Sequence, residues 1–179
     1  IYTRLVVAAS DVYKRQPHAD FTDEKLQSWL HKVIEESLRR NAKSILPSRL
    51  AFLSKQCGLP YSSVKINSSQ GRWGSCSARK DINLSYYLVL LPSHLIDYVL
   101  LHELCHTREM NHSERFWVLL NQFTEGKALA LRGELRKYRT EFRILYCQDS
   151  AIVLAHLCQH AGTVVTMRWH GCANMVAQT

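Results

Sequence analysis

No apolar run in this 179-residue chain is long enough to cross a bilayer: the longest, residues 86–91, falls far short of the roughly 20 residues that a membrane-spanning helix needs. The six cysteines (Cys57, Cys76, Cys105, Cys147, Cys158, Cys172) lack the density of a disulfide-stapled secreted scaffold, which favours a reducing compartment, the cytoplasm. Internal repeats and low-complexity runs are absent as well. The charge excess is too small to define a function. With 23 Lys and Arg against 15 Asp and Glu, the net charge of +8 permits attraction to nucleic acid or acidic proteins and says nothing about fold. What is present is an ordinary composition, 46% apolar and sized for one domain with a tail.

The first residues do not read as part of that domain. The chain opens on Ile1, and DVYKRQ at residues 11–16 resembles the translated transposon end used in sequencing-library preparation. Residues 1–16 are therefore expected to be a non-native leader. A signal peptide is the competing reading, but the apolar stretch 5–9 is shorter than the roughly 7 residues such a region requires. The domain is expected over 17–142. Residues 143–179 lose the strong periodicity, and their Cys147, Cys158, His160, His170 and Cys172 do not have the spacing of a structural zinc site. They are expected to be a tail of uncertain origin.

Within 17–142 the apolar periods are clear. Leu26, Trp29, Leu30, Val33, Ile34 and Leu38 mark one helical face over 21–40, with Thr22 as N-cap and Arg39 and Arg40 near its C-terminal end. A second short helix is expected over 48–56, entered through Pro47 and stopped by Gly58 and Pro60. Val64 and Ile66, then Ile82 and Leu84, alternate with polar residues. They predict two strands flanking the segment 71–77, paired antiparallel. Pro92 and Ser93 open a helix that is apolar nearly all round and so must be central. Ser113 caps another, whose inner side carries Phe116, Trp117, Leu119, Leu120 and Phe123. A last amphipathic segment covers 128–138.

The central helix carries the chemistry. His102-Glu103-Leu104-Cys105-His106 is H-E-x-x-H, and at i and i+4 the two imidazoles leave one face about 6 Å apart, close enough to share one zinc ion. Glu103 lies one position round, placed to take a proton from water that the ion acidifies. Coincidence, or two packed core histidines, is the plain alternative. In so apolar a helix, however, these polar groups need a partner, and a metal is one. His112 follows six residues after His106, so a turn at Asn111 would bring a third imidazole over the metal and leave a position for water. Metzincins share this spacing but carry Gly where this chain has Glu109, so Asn111, which tolerates left-handed backbone, is expected to make the turn. Cys76, Glu109 and Glu125 are the rival third ligands.

Three segments, GRWGSCS (71–77), DINLSYYLVLLP (81–92) and IDYVLLHELCHTREMNHSERFW (96–117), resemble the YgjP-like metallopeptidase domain, a relative of the SprT-like zincins, over residues 21–141. The resemblance implies His102, His106 and His112 as zinc ligands and Glu103 as general base. It also implies an α+β, zincin-like fold: a small, mostly antiparallel sheet on a buried active-site helix, with helices at the N- and C-terminal sides. Arg72, Trp73, Gly74 and Ser75 would form a turn between strands that borders the cleft and holds substrate backbone, or is simply a packed hairpin. Cys105, turned away from the histidines, is expected in the core, as are Phe116 and Trp117.

The expected function is zinc-dependent peptide-bond hydrolysis of polypeptides by a Glu-activated water. Two rivals stand beside it. One is a DNA-associated binding module with a vestigial core, because SprT-like relatives act on proteins at DNA and residues 17–142 hold 18 Lys and Arg against 13 Asp and Glu. No base-stacking series or DNA-reading motif accompanies that excess, so any DNA association would be weak. The other is a deformylase-like amide hydrolase using Cys76, whose Gly-Cys-Leu-Ser element is here missing its Leu.

Overall fold

Leu38, Ala42, Leu46, Leu50 and Leu53 recur at three- and four-residue intervals and all are buried, so the apolar stripe runs unbroken past Pro47. In the computed structural model, which describes residues 24–138, 142–147 and 150–157, this stripe belongs to a single helix, α1 (Glu24–Cys57). The two helices expected over 21–40 and 48–56 are thus one. A proline in a helix interior costs about 3 kcal/mol. Each fully buried leucine contributes roughly 1.5–3 kcal/mol, so the leucines on both sides of Pro47 outweigh it. Arg39 and Arg40 accordingly lie in mid-helix, Arg39 over the Tyr86 ring at 5.5 Å and Arg40 bonded to Glu36 at 3.0 Å. The stop is where the sequence places it. Gly58 takes φ +66°, and the Leu59 N–H closes back on the Ser54 carbonyl at 3.1 Å.

The sheet differs from expectation in its pairing. Strand β3 (Asp81–Ser85) is central, with β1 (Ser63–Asn67) parallel on one side and β2 (Gly74–Cys76) antiparallel on the other. The sheet is therefore mixed, and the strands carrying Val64 and Ile82 are parallel neighbours. The physical reason lies in residues 71–77. Read as a turn, this segment contains a strand of its own, so the chain crosses to the far side of β3 before returning through a tight turn. That turn is closed by the Ser77 N–H on the Asp81 carbonyl (2.9 Å) and has Lys80 in the left-handed region at φ 64°.

A 3-10 turn (Tyr86–Leu90) leads into α2 (Ser93–Cys105), α3 (Glu114–Phe123) and α4 (Ala128–Leu135), close to the expected spans. Leu46, Leu50, Ile82, Leu84, Leu100 and Phe116 are fully buried where these elements meet α1 and β3. The result is the expected α+β architecture, with the H-E-x-x-H helix at its centre. Strands β4 (Phe142–Cys147) and β5 (Ser150–Leu157) form a separate antiparallel ribbon in the segment read as a tail. Residues 1–16, Thr22, Cys158, His160, His170 and Cys172 lie outside the described residues. Among the described residues no helix is long and apolar enough to cross a membrane.

Candidate metal centre

Helix α2 is buried along Leu95, Tyr98, Val99, Leu100, Leu101, Leu104 and Cys105, which leaves His102 and His106 to project from its remaining face. The helix ends at Cys105, with His106 as its cap, rather than near 108–110. Three interactions unwind it. The Thr107 and Arg108 N–H groups tighten onto the carbonyls of Leu104 and Cys105, each at 3.0 Å, and the Thr107 hydroxyl donates to the Leu104 carbonyl at 2.7 Å. His106 Nδ1 then meets the Glu109 carbonyl at 3.0 Å. Asn111 is not left-handed: among the described residues only Lys80 and Glu125 have positive φ outside glycine. The chain reverses through these hydrogen bonds, without the left-handed residue that the spacing led us to expect.

The reversal brings His112 to the other two. The three Nε2 atoms lie 3.0–3.2 Å apart, whereas the ring centroids are 4.7–5.0 Å apart, so the nitrogens converge on one point. An ion about 2.0–2.1 Å from three tetrahedrally placed nitrogens would hold them about 3.3 Å apart, close to what is seen. The donor set fits in its chemistry as well. With Nδ1–H donated to the Glu109 carbonyl, His106 keeps a free lone pair on Nε2. Burial lowers the His106 pKa and, foremost among several causes, takes that of His102 down to about 3, so these two imidazoles stay neutral and able to ligate. Three imidazole nitrogens that converge in this way could hold a metal ion between them. His102 Nδ1 has no hydrogen-bond partner among the described residues, so ring packing has a large share in orienting it.

Packing against Phe116 supplies that orientation. Its ring, fully buried on α3, lies 4.9, 4.6 and 4.8 Å from the centroids of His102, His106 and His112. Trp117 stacks on His112 at 5.9 Å and is covered in turn by the Arg132 guanidinium at 5.1 Å. Both aromatics were expected as core residues; that they also seat the histidines is visible only in three dimensions.

The other sequence candidates fall outside this group. Glu125 is exposed and pairs with Lys127 at 3.0 Å, and Glu109 contributes its carbonyl rather than its carboxylate. Cys76 is half-buried on β2, outside the group of three histidines, with its thiol pushed up to about 11 by burial first and then by the Glu103 carboxylate. Cys105 is fully buried, as expected. Glu103, next after His102 on α2, is 5% exposed, and its Oε2 has no hydrogen-bond partner among the described residues. Burial raises its carboxyl to about 8, against the opposing pull of Arg72. Gly74, read from the sequence as part of a turn, lies on β2 instead and turns its bare Cα to Glu103: a Cβ there would lie 2.7 Å from Oε1.

Comparison with known proteins places these residues in context. The sequence pattern of the YgjP-like metallopeptidase domain matches residues 3–138. Among curated proteins none matches. Among solved structures, the metallopeptidase zymogen abylysin of Pyrococcus abyssi is similar with 21% identity and a TM-score of 0.46, over 51% of this chain and 91% of that one.

Proposed function

Because the chain belongs to the YgjP-like metallopeptidase domain family, we propose that it is a zinc-dependent peptidase that cleaves polypeptides with His102, His106 and His112 as ligands and Glu103 as general base. The observation that carries this reading is the convergence of three imidazole Nε2 atoms within 3.2 Å, on a helix whose next residue after His102 is the buried Glu103. Zinc bound there supplies Lewis acidity to the scissile carbonyl and makes water more acidic. Glu103 accepts the proton of the attacking water at its carboxylate and passes it to the departing amine. Burial favours the protonated form of this carboxyl, which supports its handing the proton on once it has been taken up. On the far side of the carboxylate lies β2. Its outer edge has no strand partner among the described residues, which supports a role in holding substrate backbone. A cytoplasmic setting is part of the proposal and rests on cysteine usage alone.

The test compares wild type with Glu103→Gln on unfolded polypeptides, with metal content measured in both. Zinc near one per chain in each, with turnover reduced by about 10² to 10⁴ in the variant, is expected. Equal turnover would remove Glu103 from the mechanism. Metal lost from Cys76→Ala but kept by His112→Ala would favour the deformylase-like alternative. Tight, salt-sensitive DNA binding with no hydrolysis in either protein would favour the binding module.

A further inference from the structure

Glu103 is held in an unusual manner for a buried carboxylate. Its Oε2 has no hydrogen-bond partner among the described residues. The rest of the side-chain end, Oε1 with Cγ and Cδ, lies against the backbone of Gly74. An ideal Cβ on Gly74 would stand 2.7, 2.8 and 2.9 Å from Glu103 Oε1, Cγ and Cδ, closer than real Cβ contacts come. That backbone has little freedom to retreat. Gly74 pairs with Leu84 on the central strand, Trp73 accepts the Ser85 N–H at 2.9 Å, and β3 is clamped on its other edge by β1. Nor is glycine required by the backbone there, since Gly58 and Gly126 have positive φ and Gly74 does not. A larger residue at 74 would therefore have to displace the end of the Glu103 side chain.

We propose that Gly74 is a positioning residue for the hydrolytic step: its bare Cα is the surface against which the Glu103 carboxylate is set beside the three histidines. The inference rests on the peptidase reading above, in which Glu103 is the base. The substitution Gly74→Ala leaves the histidines untouched and moves the carboxylate, because β2 is pinned and the Glu103 side chain is the part that can give. Displacement of a reacting group by about 1 Å costs on the order of 10²-fold in rate.

The experiment measures kcat, KM and bound zinc for the full chain and Gly74→Ala on an unfolded polypeptide. It also measures the Tm of both, and of Glu103→Ala with and without Gly74→Ala. The expected result is kcat lower by about 10²-fold with KM and zinc stoichiometry unchanged. In the stability cycle, Gly74→Ala lowers Tm in the wild-type background and has little effect in the Glu103→Ala background, because the atoms that the new methyl group meets are gone. Should Gly74→Ala fail to fold, the double variant must fold; if it does not, or if Gly74→Ala costs as much Tm in both backgrounds, the contact is not with Glu103 and the proposal falls. It falls too if kcat is unchanged, or if KM alone rises, which would make Gly74 a substrate contact. A zinc-loaded wild type inert on all polypeptides overturns the peptidase reading and with it the catalytic role, whereas an active wild type with an unaffected Gly74→Ala overturns only the positioning.

Discussion

The burial of Glu103, the base in the proposed mechanism, has a consequence that can be measured without substrate. In the metal-free protein its carboxyl is raised from 4.5 to about 8 by desolvation, so the folded chain binds a proton between those values that the unfolded chain has released. The stability from this protonation is fully present below pH 4.5 and is lost as pH rises through about 8. Glu103→Gln keeps the shape and cannot titrate. In chelator, the Tm of wild type relative to Glu103→Gln should therefore fall steadily from about pH 4.5 to pH 8, whatever the other groups add to both curves. Parallel melting curves would show that the carboxyl is solvated in the metal-free protein.

At this scale the sequence was readable wherever the chemistry is local. His102 and His106 share a face because of helical spacing alone, and His112 lies only a short reversal of chain from them. The contact of Gly74 with Glu103 was not readable, because it depends on how a sheet edge lies against a helix 29 residues away in sequence. A glycine inside a strand, where no turn needs it, is the signal that could have pointed there.

Among the elements, α3 has more to do than fill the core. Its Phe116 ring is the common floor of all three histidines, and His102 has no hydrogen bond from Nδ1 to hold its ring in place. His106 has the Glu109 carbonyl behind its ring, whereas for His102 the described contacts that set the ring are with Phe116 and the other aromatic rings. Phe116→Leu keeps an apolar side chain and removes the flat surface. It should weaken zinc affinity by about 10- to 100-fold, the range seen when support behind metal ligands is lost. Competition against a chelating dye reads the affinity directly, and a folded variant with wild-type affinity would show that Phe116 is packing only. The elements themselves were legible to unequal degrees. Helices α2 to α4 follow their apolar periods. The continuity of α1 was hidden by Pro47, since a local helix breaker is overruled only by burial that the sequence does not display. The parallel β1–β3 pairing was hidden because alternation identifies a strand and not its neighbour, and because three residues at 74–76 are too short to show a period.

For the whole molecule the question is which part of the chain makes the domain. The buried cluster runs from Leu38 to Ala128, and the partly buried residues packed on it reach Tyr138, so every described core contact lies inside 17–142. The ribbon of β4 and β5 pairs with itself. A chain trimmed to 17–142 should therefore unfold in one cooperative transition and retain about one zinc, the same as expected of the full chain. The two cuts are not equivalent. The family match ends at residue 138, ahead of the C-terminal cut, but it starts at residue 3, ahead of the N-terminal one. Trimming each end separately thus tests two different claims. Loss of 143–179 should leave Tm and zinc content unchanged. If removing 1–16 alone lowers either, the library-adapter reading of that segment is wrong and the domain begins nearer residue 3. Equal Tm and zinc in all three trimmed forms would place the fold, the histidines and Glu103 within residues 17–142.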